Sequence, residues 1–231
     1  MTTNSTVQRL YLGDSKIGPP GAQSLSRMLQ QNDTLQALDL DQNNIGPEGA
    51  QALAPALRSN TSLTDLLIQR NGIGDVGCQA VAASLVENRS LVCIDMALKG
   101  IDDRGTQCVA AALRRNCCLR VLSLSDSIAI SSVGMSALKE TLRLANYSLH
   151  LFVYDDDEHD AEIREIIAKN RRIKENFDRL QQVFGSIGLA TLPRALELVS
   201  DKPGLLYPCS DRDRESSASI ATSAIGSVQT G

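Results

Sequence analysis

A spacing of 28 residues organises this chain of 231. The pattern Leu35-x-x-Leu38-x-Leu40-x-x-Asn43-x-Ile45-Gly46-x-x-Gly49 returns as Leu63-x-x-Leu66-x-Ile68-x-x-Asn71-x-Ile73-Gly74-x-x-Gly77. It returns more loosely as Leu91, Ile94, Met96, Ile101 and Gly105. Units begin at Val7, Leu35, Leu63, Leu91 and Leu119, and a sixth, shortened unit begins at Leu149 after a step of 30 (149 − 119). A unit this short cannot bury its own apolar face, so it must stack on identical neighbours. The period therefore commits the chain to a solenoid.

Two periodicities alternate inside each unit. Leu35, Leu38 and Leu40 fall on one face of an extended segment, while Ala37, Asp39 and Asp41 fall on the other. Ala50, Leu53, Ala54 and Leu57 then follow the i, i+3, i+4, i+7 spacing of an amphipathic helix. The alanines on that face let neighbouring helices approach closely. Gly46-Pro47 and Gly74-Asp75 mark helix starts, with Pro suited to the first turn and Asp75 to an N-cap. Asn60, Asn88 and Asn116 share one register near the helix ends, where left-handed asparagines are expected to terminate helices. The predicted architecture is an α/β horseshoe, with a parallel sheet on the concave side and helices on the convex side.

The repeat decays after Asn116: Lys99 and Ser127 stand in the register of Asn43 and Asn71, and Ser125 to Ile130 is irregular. Ala161 to Phe184 reads as one long helix with Ile163, Ile166, Ile167, Ile173, Phe177, Leu180 and Phe184 on one side. Such a helix suits the cover that a solenoid end requires. The expected organisation is an N-terminal extension over 1–6, about five and a half repeats over 7–159, a capping helix over 160–184, and a mostly disordered tail over 185–231. The short segment before Val7 leaves the first repeat's apolar edge open, a candidate surface for self-association.

Composition excludes several classes of function. A net charge of −4 and 3% aromatic residues disfavour binding to nucleic acid. No apolar run approaches the roughly 20 residues needed to span a bilayer. The start Met1-Thr-Thr-Asn-Ser-Thr has no signal-peptide character, so a cytoplasmic address is expected. The cysteines at 78, 93, 108, 117, 118 and 209 form no CxxC pair and are expected to be reduced packing residues, with no zinc site. Five sequons begin at Asn4, Asn32, Asn60, Asn88 and Asn146; three of them, at Asn32, Asn60 and Asn88, fall at one repeat register, which favours turn chemistry over glycans. The run Asp155 to Glu158 lacks the spacing of a calcium loop. No phosphate loop or nucleophile–base motif accompanies His150 or His159. Neither cofactor, metal nor catalytic activity is expected.

The unit resembles the ribonuclease-inhibitor-type subfamily of leucine-rich repeats, from residue 7 to about residue 154. That resemblance implies a curved scaffold that grips another protein through its concave face and loop rims. The candidate concave surface comprises Arg9, Tyr11, Asp39, Asp41, Asp65, Leu67, Gln69, Arg70, Asp95 and Asp126. Carboxylates dominate it, so the expected partner is a basic protein surface, with Tyr11 and Leu67 as apolar anchors. The same subfamily includes Ran GTPase-activating proteins and tropomodulin-type actin cappers, which give two alternatives. Against the first, the acidic run is short and Arg70 is the only rim arginine in the first three units. Against the second, no helical tropomyosin-binding segment precedes the repeats.

Overall fold

A computed structural model describes residues 4–96, 100–125, 129–146, 148–154 and 157–185. Strands β1 (Arg9–Tyr11), β2 (Ala37–Asp39), β3 (Asp65–Leu67), β4 (Cys93–Asp95), β5 (Val121–Ser123) and β6 (Leu151–Val153) alternate with helices. The helices are α1 (Gly18–Leu29), α2 (Gly46–Ser59), α3 (Gly74–Leu85), α4 (Asp103–Leu113), α5 (Ser132–Leu144) and α6 (Asp157–Gly185). The strands form one parallel sheet in sequence order. Leu10, Leu38, Leu66, Ile94, Leu122 and Phe152 stand in one row across it. The predicted α/β solenoid is the fold observed.

The core runs continuously between sheet and helices. Leu35, Leu38, Leu40 and Ile45 of the second unit are at most 2% exposed, and the equivalents Leu63, Leu66, Ile68 and Ile73 match them. Each such side chain contributes about 2 kcal/mol by leaving water. Close helix packing has a steric basis. A Cβ on Gly77 would lie 2.9 Å from Ala50 Cβ and 2.7 Å from Ile73 Cβ, so a larger residue there would push α3 off α2.

Two expectations about helix ends are corrected. Ile73, not Asp75, occupies the N-cap of α3. Asp75 instead reaches into the next unit, where its Oδ1 accepts from the amides of Asp102 at 2.9 Å and Gly105 at 3.2 Å. Asp103 does the same one unit later, accepting from Ser131 N at 2.8 Å and Gly134 N at 3.0 Å. A carboxylate on one helix thus satisfies orphan donors at the start of the next.

Nor is Asn60 left-handed, for it is extended at φ −69°, ψ 138°. Its side chain terminates two units at once. Nδ2 donates to the Leu29 and Asn32 carbonyls at 2.8 and 2.9 Å, while Oδ1 accepts from Ser62 N and Leu63 N. Asn88 bonds Leu57, Asn116 bonds Leu85, and Asn146 bonds Leu113 in the same way. Asn32 reaches back to Asn4, and Asn170 of α6 reaches Leu142 and Asn146. Asn60, Asn88 and Asn146 are buried, so these sequons are closed to glycan attachment in the folded chain.

Helix α6 packs on the last unit, with Ile163, Ile166 and Ile167 buried in the core and Glu162 bonded to Lys139 and Arg143. Those bonds, led by that from Lys139, hold the Glu162 carboxyl below its usual range. The expected tail from residue 186 onward lies outside the described residues, as do the side chains of Phe177, Leu180 and Phe184. Cys78, Cys93 and Cys108 are free thiols. Burial, the largest cause, pushes Cys78 and Cys93 up to about 12 and leaves them unreactive at neutral pH. Among the described residues, no helix is long and apolar enough to cross a membrane.

Candidate interaction face

The third position of each strand builds the candidate face. Tyr11, Asp39, Leu67, Asp95, Ser123 and Val153 are direct neighbours across the sheet. Leu67 separates Asp39 from Asp95, two strand spacings of about 4.8 Å, which tempers their repulsion. Tyr11 is 65% exposed, and Arg9 and Arg70 are also exposed. Asp39, Asp41, Leu67 and Gln69 are half-buried. Asp65 and Asp95 differ: they are buried between neighbouring strands, at 6% and 5% exposure. Asp126 lies outside the described residues.

The acids are linked rather than scattered. Asp41 N donates to Asp39 Oδ1 at 2.9 Å, Gln69 N donates to Asp41 Oδ1 at 2.8 Å, and Gln69 Nε2 donates to Asp95 Oδ2 at 2.5 Å. Asp65 accepts from Thr64 Oγ1 at 2.6 Å. This chain crosses three units and holds the carboxylates in place. Asp41 carries the consequence. Burial first, then the charges of Asp39 and Asp95, raise its pKa to about 6 against the opposing Gln69 hydrogen bond and Arg70 charge.

The loop following each early strand is conformationally strained. Asp14, Gln42 and Arg70 occupy one register at φ 52–56°, and Lys16 and Asn44 occupy another at φ 55° and 52°. A side chain at such angles costs about 1 kcal/mol, which Gly72 avoids in the third unit. Asparagines brace these loops. Asn43 Oδ1 accepts from Ser15 N and Ile17 N, and Asn71 Oδ1 accepts from Asn43 N and Ile45 N. Their Nδ2 atoms donate to the Leu12 and Leu40 carbonyls respectively. The sequence reading found Asn43 and Asn71 as register marks but missed that they hold strained loops. Lys16, Gln42 and Arg70 are not residue types that signal a positive φ, whereas Asp14 and Asn44 are types that tolerate it.

Among the described residues, no group of three or more His, Cys, Asp or Glu is placed to hold a metal ion. The arrangement offers fixed carboxylates, an exposed aromatic ring and a rigid curved backbone.

Residues 3–26, 31–54 and 59–82 match the family model described as Leucine Rich repeat. With the parallel sheet and its alternating helices, the fold is a leucine-rich repeat solenoid. No curated protein sequence matches the chain. Among solved structures, one of the leiomodin-1 actin-binding site 2 shares 14% identity and a TM-score of 0.52, covering 80% of this chain and 91% of that one. The tropomodulin C-terminal domain from Caenorhabditis elegans shares 11% identity and a TM-score of 0.57, covering 70% of this chain and 98% of the other. At these identities the likeness is one of fold.

Proposed function

We propose that this chain is a non-catalytic protein-recognition scaffold of the ribonuclease-inhibitor type, which docks a basic protein surface on its concave face. The observation that carries the reading is the linked set Asp39, Asp41, Gln69 and Asp95, held beside exposed Tyr11. Fixed carboxylates lose little entropy when a cationic partner arrives, so the face is preorganised for one. Tyr11 and Leu67 supply apolar contact, and the rigid sheet supplies shape.

Affinity capture from source-cell lysate tests this, with Tyr11→Ala and Asp39→Lys run beside the native chain. Both positions are accessible, unlike Asp65 and Asp95, so the variants leave the core intact. A basic protein retained by the native chain and lost by both variants is the expected result. Equal capture by all three forms counts against this face.

A second reading, actin as the partner, draws on the likeness to the leiomodin-1 actin-binding site 2. It is separated by co-sedimentation: pelleting with filamentous actin that is lost in Tyr11→Ala would make actin the occupant of the same face.

A further inference from the structure

A charged region of the opposite sign lies at the other end of the sheet. Arg120 and His150 immediately precede β5 and β6, and the pairing of Val121 with Leu151 sets them side by side. The His150 amide donates to the Arg120 carbonyl at 2.7 Å, and Arg120 Nη1 lies 3.4 Å from His150 Nε2. Helix α6 is anchored at the same place. Asn170 donates to the Asn146 carbonyl at 2.9 Å, and Asn146 Oδ1 in turn accepts from Leu149 N at 3.0 Å. Arg171 follows this anchor directly, and Lys174 sits one helical turn beyond it.

The three cations act together on the imidazole between them. Burial first, then Arg120, Arg171 and Lys174, lower the His150 pKa to about 4. At neutral pH the ring is therefore uncharged and accepts from Arg120. Among the described residues, no carboxylate pairs with Arg120 or Arg171. Holding Arg120 and Arg171 beside one imidazole costs Coulomb energy, and it does so in a chain whose net charge is −4.

We propose that Arg120, His150, Arg171 and Lys174 form a docking site for a carboxylate-rich segment of a partner protein. Guanidinium forks take carboxylates two bonds at a time. The cations are spread along two strand ends and one helical turn, so they match successive carboxylates rather than a single oxyanion. The overall negative charge and scarcity of aromatics disfavour nucleic acid as the occupant. This site is separate from the concave acids and does not depend on their role.

The chain has two histidines, His150 and His159, so a His159→Gln background leaves His150 as a single imidazole reporter. Its ring resonances are followed by NMR near neutral pH while poly-glutamate, inorganic phosphate or phosphatidylserine vesicles are added separately. The expected result is a saturable shift with poly-glutamate, weakened about tenfold by Arg120→Gln and equally by exposed Arg171→Gln. Arg104→Gln, exposed on α4, leaves it unchanged. Melting curves establish that each variant is folded. A still His150 signal overturns the proposal, as does equal binding by Arg120→Gln and Arg171→Gln. A response to phosphate or vesicles without one to poly-glutamate also overturns it.

Discussion

Along the edge where helices hand over to strands, asparagine recurs at 4, 32, 60, 88, 116, 146 and 170, and each described side chain bonds backbone nearby. Along the opposite edge, where strands hand over to helices, the repeating position holds it at Asn43 and Asn71, and the sequence continues there with Lys99 and Ser127. From Asn60 onward the asparagines of the first edge are buried, and Asn60 is an ordinary extended residue. Among the described residues, the second carries five non-glycine residues at positive φ, and it borders a carboxylate with a raised pKa. One residue type serves both edges, but the first uses it as a continuous spine and the second uses it to hold strain. Strain and unfavourable charge persist where the surrounding structure over-determines them, and they cluster at functional surfaces.

The largest expected effect is on the spine. Asn88→Ala removes the bonds to the Leu57 carbonyl and to Ser90 N and Leu91 N, all buried. It leaves those groups unsatisfied, and unfolding by denaturant should read a loss of about 3 kcal/mol. Asn71→Ala breaks a comparable set of bonds at the rim. There, Gln42 and Asn44 are released to relax from positive φ, so the loss should be nearer 2 kcal/mol. Equal losses at the two sites would erase the distinction between the edges.

Smaller effects should run in the stabilising direction. Because the Asp41 pKa is raised in the fold, its contribution is fully present below pH 3.8 and is lost as pH rises through about 6. Asp41→Asn keeps an acceptor for Gln69 N and removes the charge. It should stabilise the chain by about 1 kcal/mol at neutral pH, after discounting for solvent at a half-buried group, and by nothing at pH 3.8. Melting curves across that range read the difference. Gln42→Gly relieves one left-handed side chain and should add about 0.5 kcal/mol, against the entropy that glycine loses.

His150 gives the opposite pH dependence. Its lowered pKa contributes stability above pH 6.5 that is lost as pH falls through about 4. Acid melting of His150→Gln should therefore be flatter than that of the native chain over this window.

The fold was legible in the sequence because burial imposes a strict period: Leu38, Leu66 and Ile94 had to meet, and they do. The hydrogen-bonded devices were not legible, because a side chain bonding to backbone a whole unit away leaves only the mark of recurrence. Asn60 and Asp75 show this. Local rules made one a left-handed stop and the other an N-cap, yet both serve a neighbouring unit. The concave face was legible in its alternation but not in its depth. Asp39 and Asp95 share a row, and only packing determines that Asp95 is buried. The Arg120–His150 pair escaped notice because its members stand 30 positions apart (150 − 120), across the one irregular step in the period.

The central claim, that the rim and concave acids are kept for recognition at the expense of stability, is tested most directly by capture with Asp41→Asn at neutral pH. This variant is expected to be more stable than the native chain, so lost binding cannot be ascribed to unfolding. About tenfold weaker retention of a basic partner by the better-folded variant is expected. Undiminished retention by a stabilised Asp41→Asn chain would contradict it.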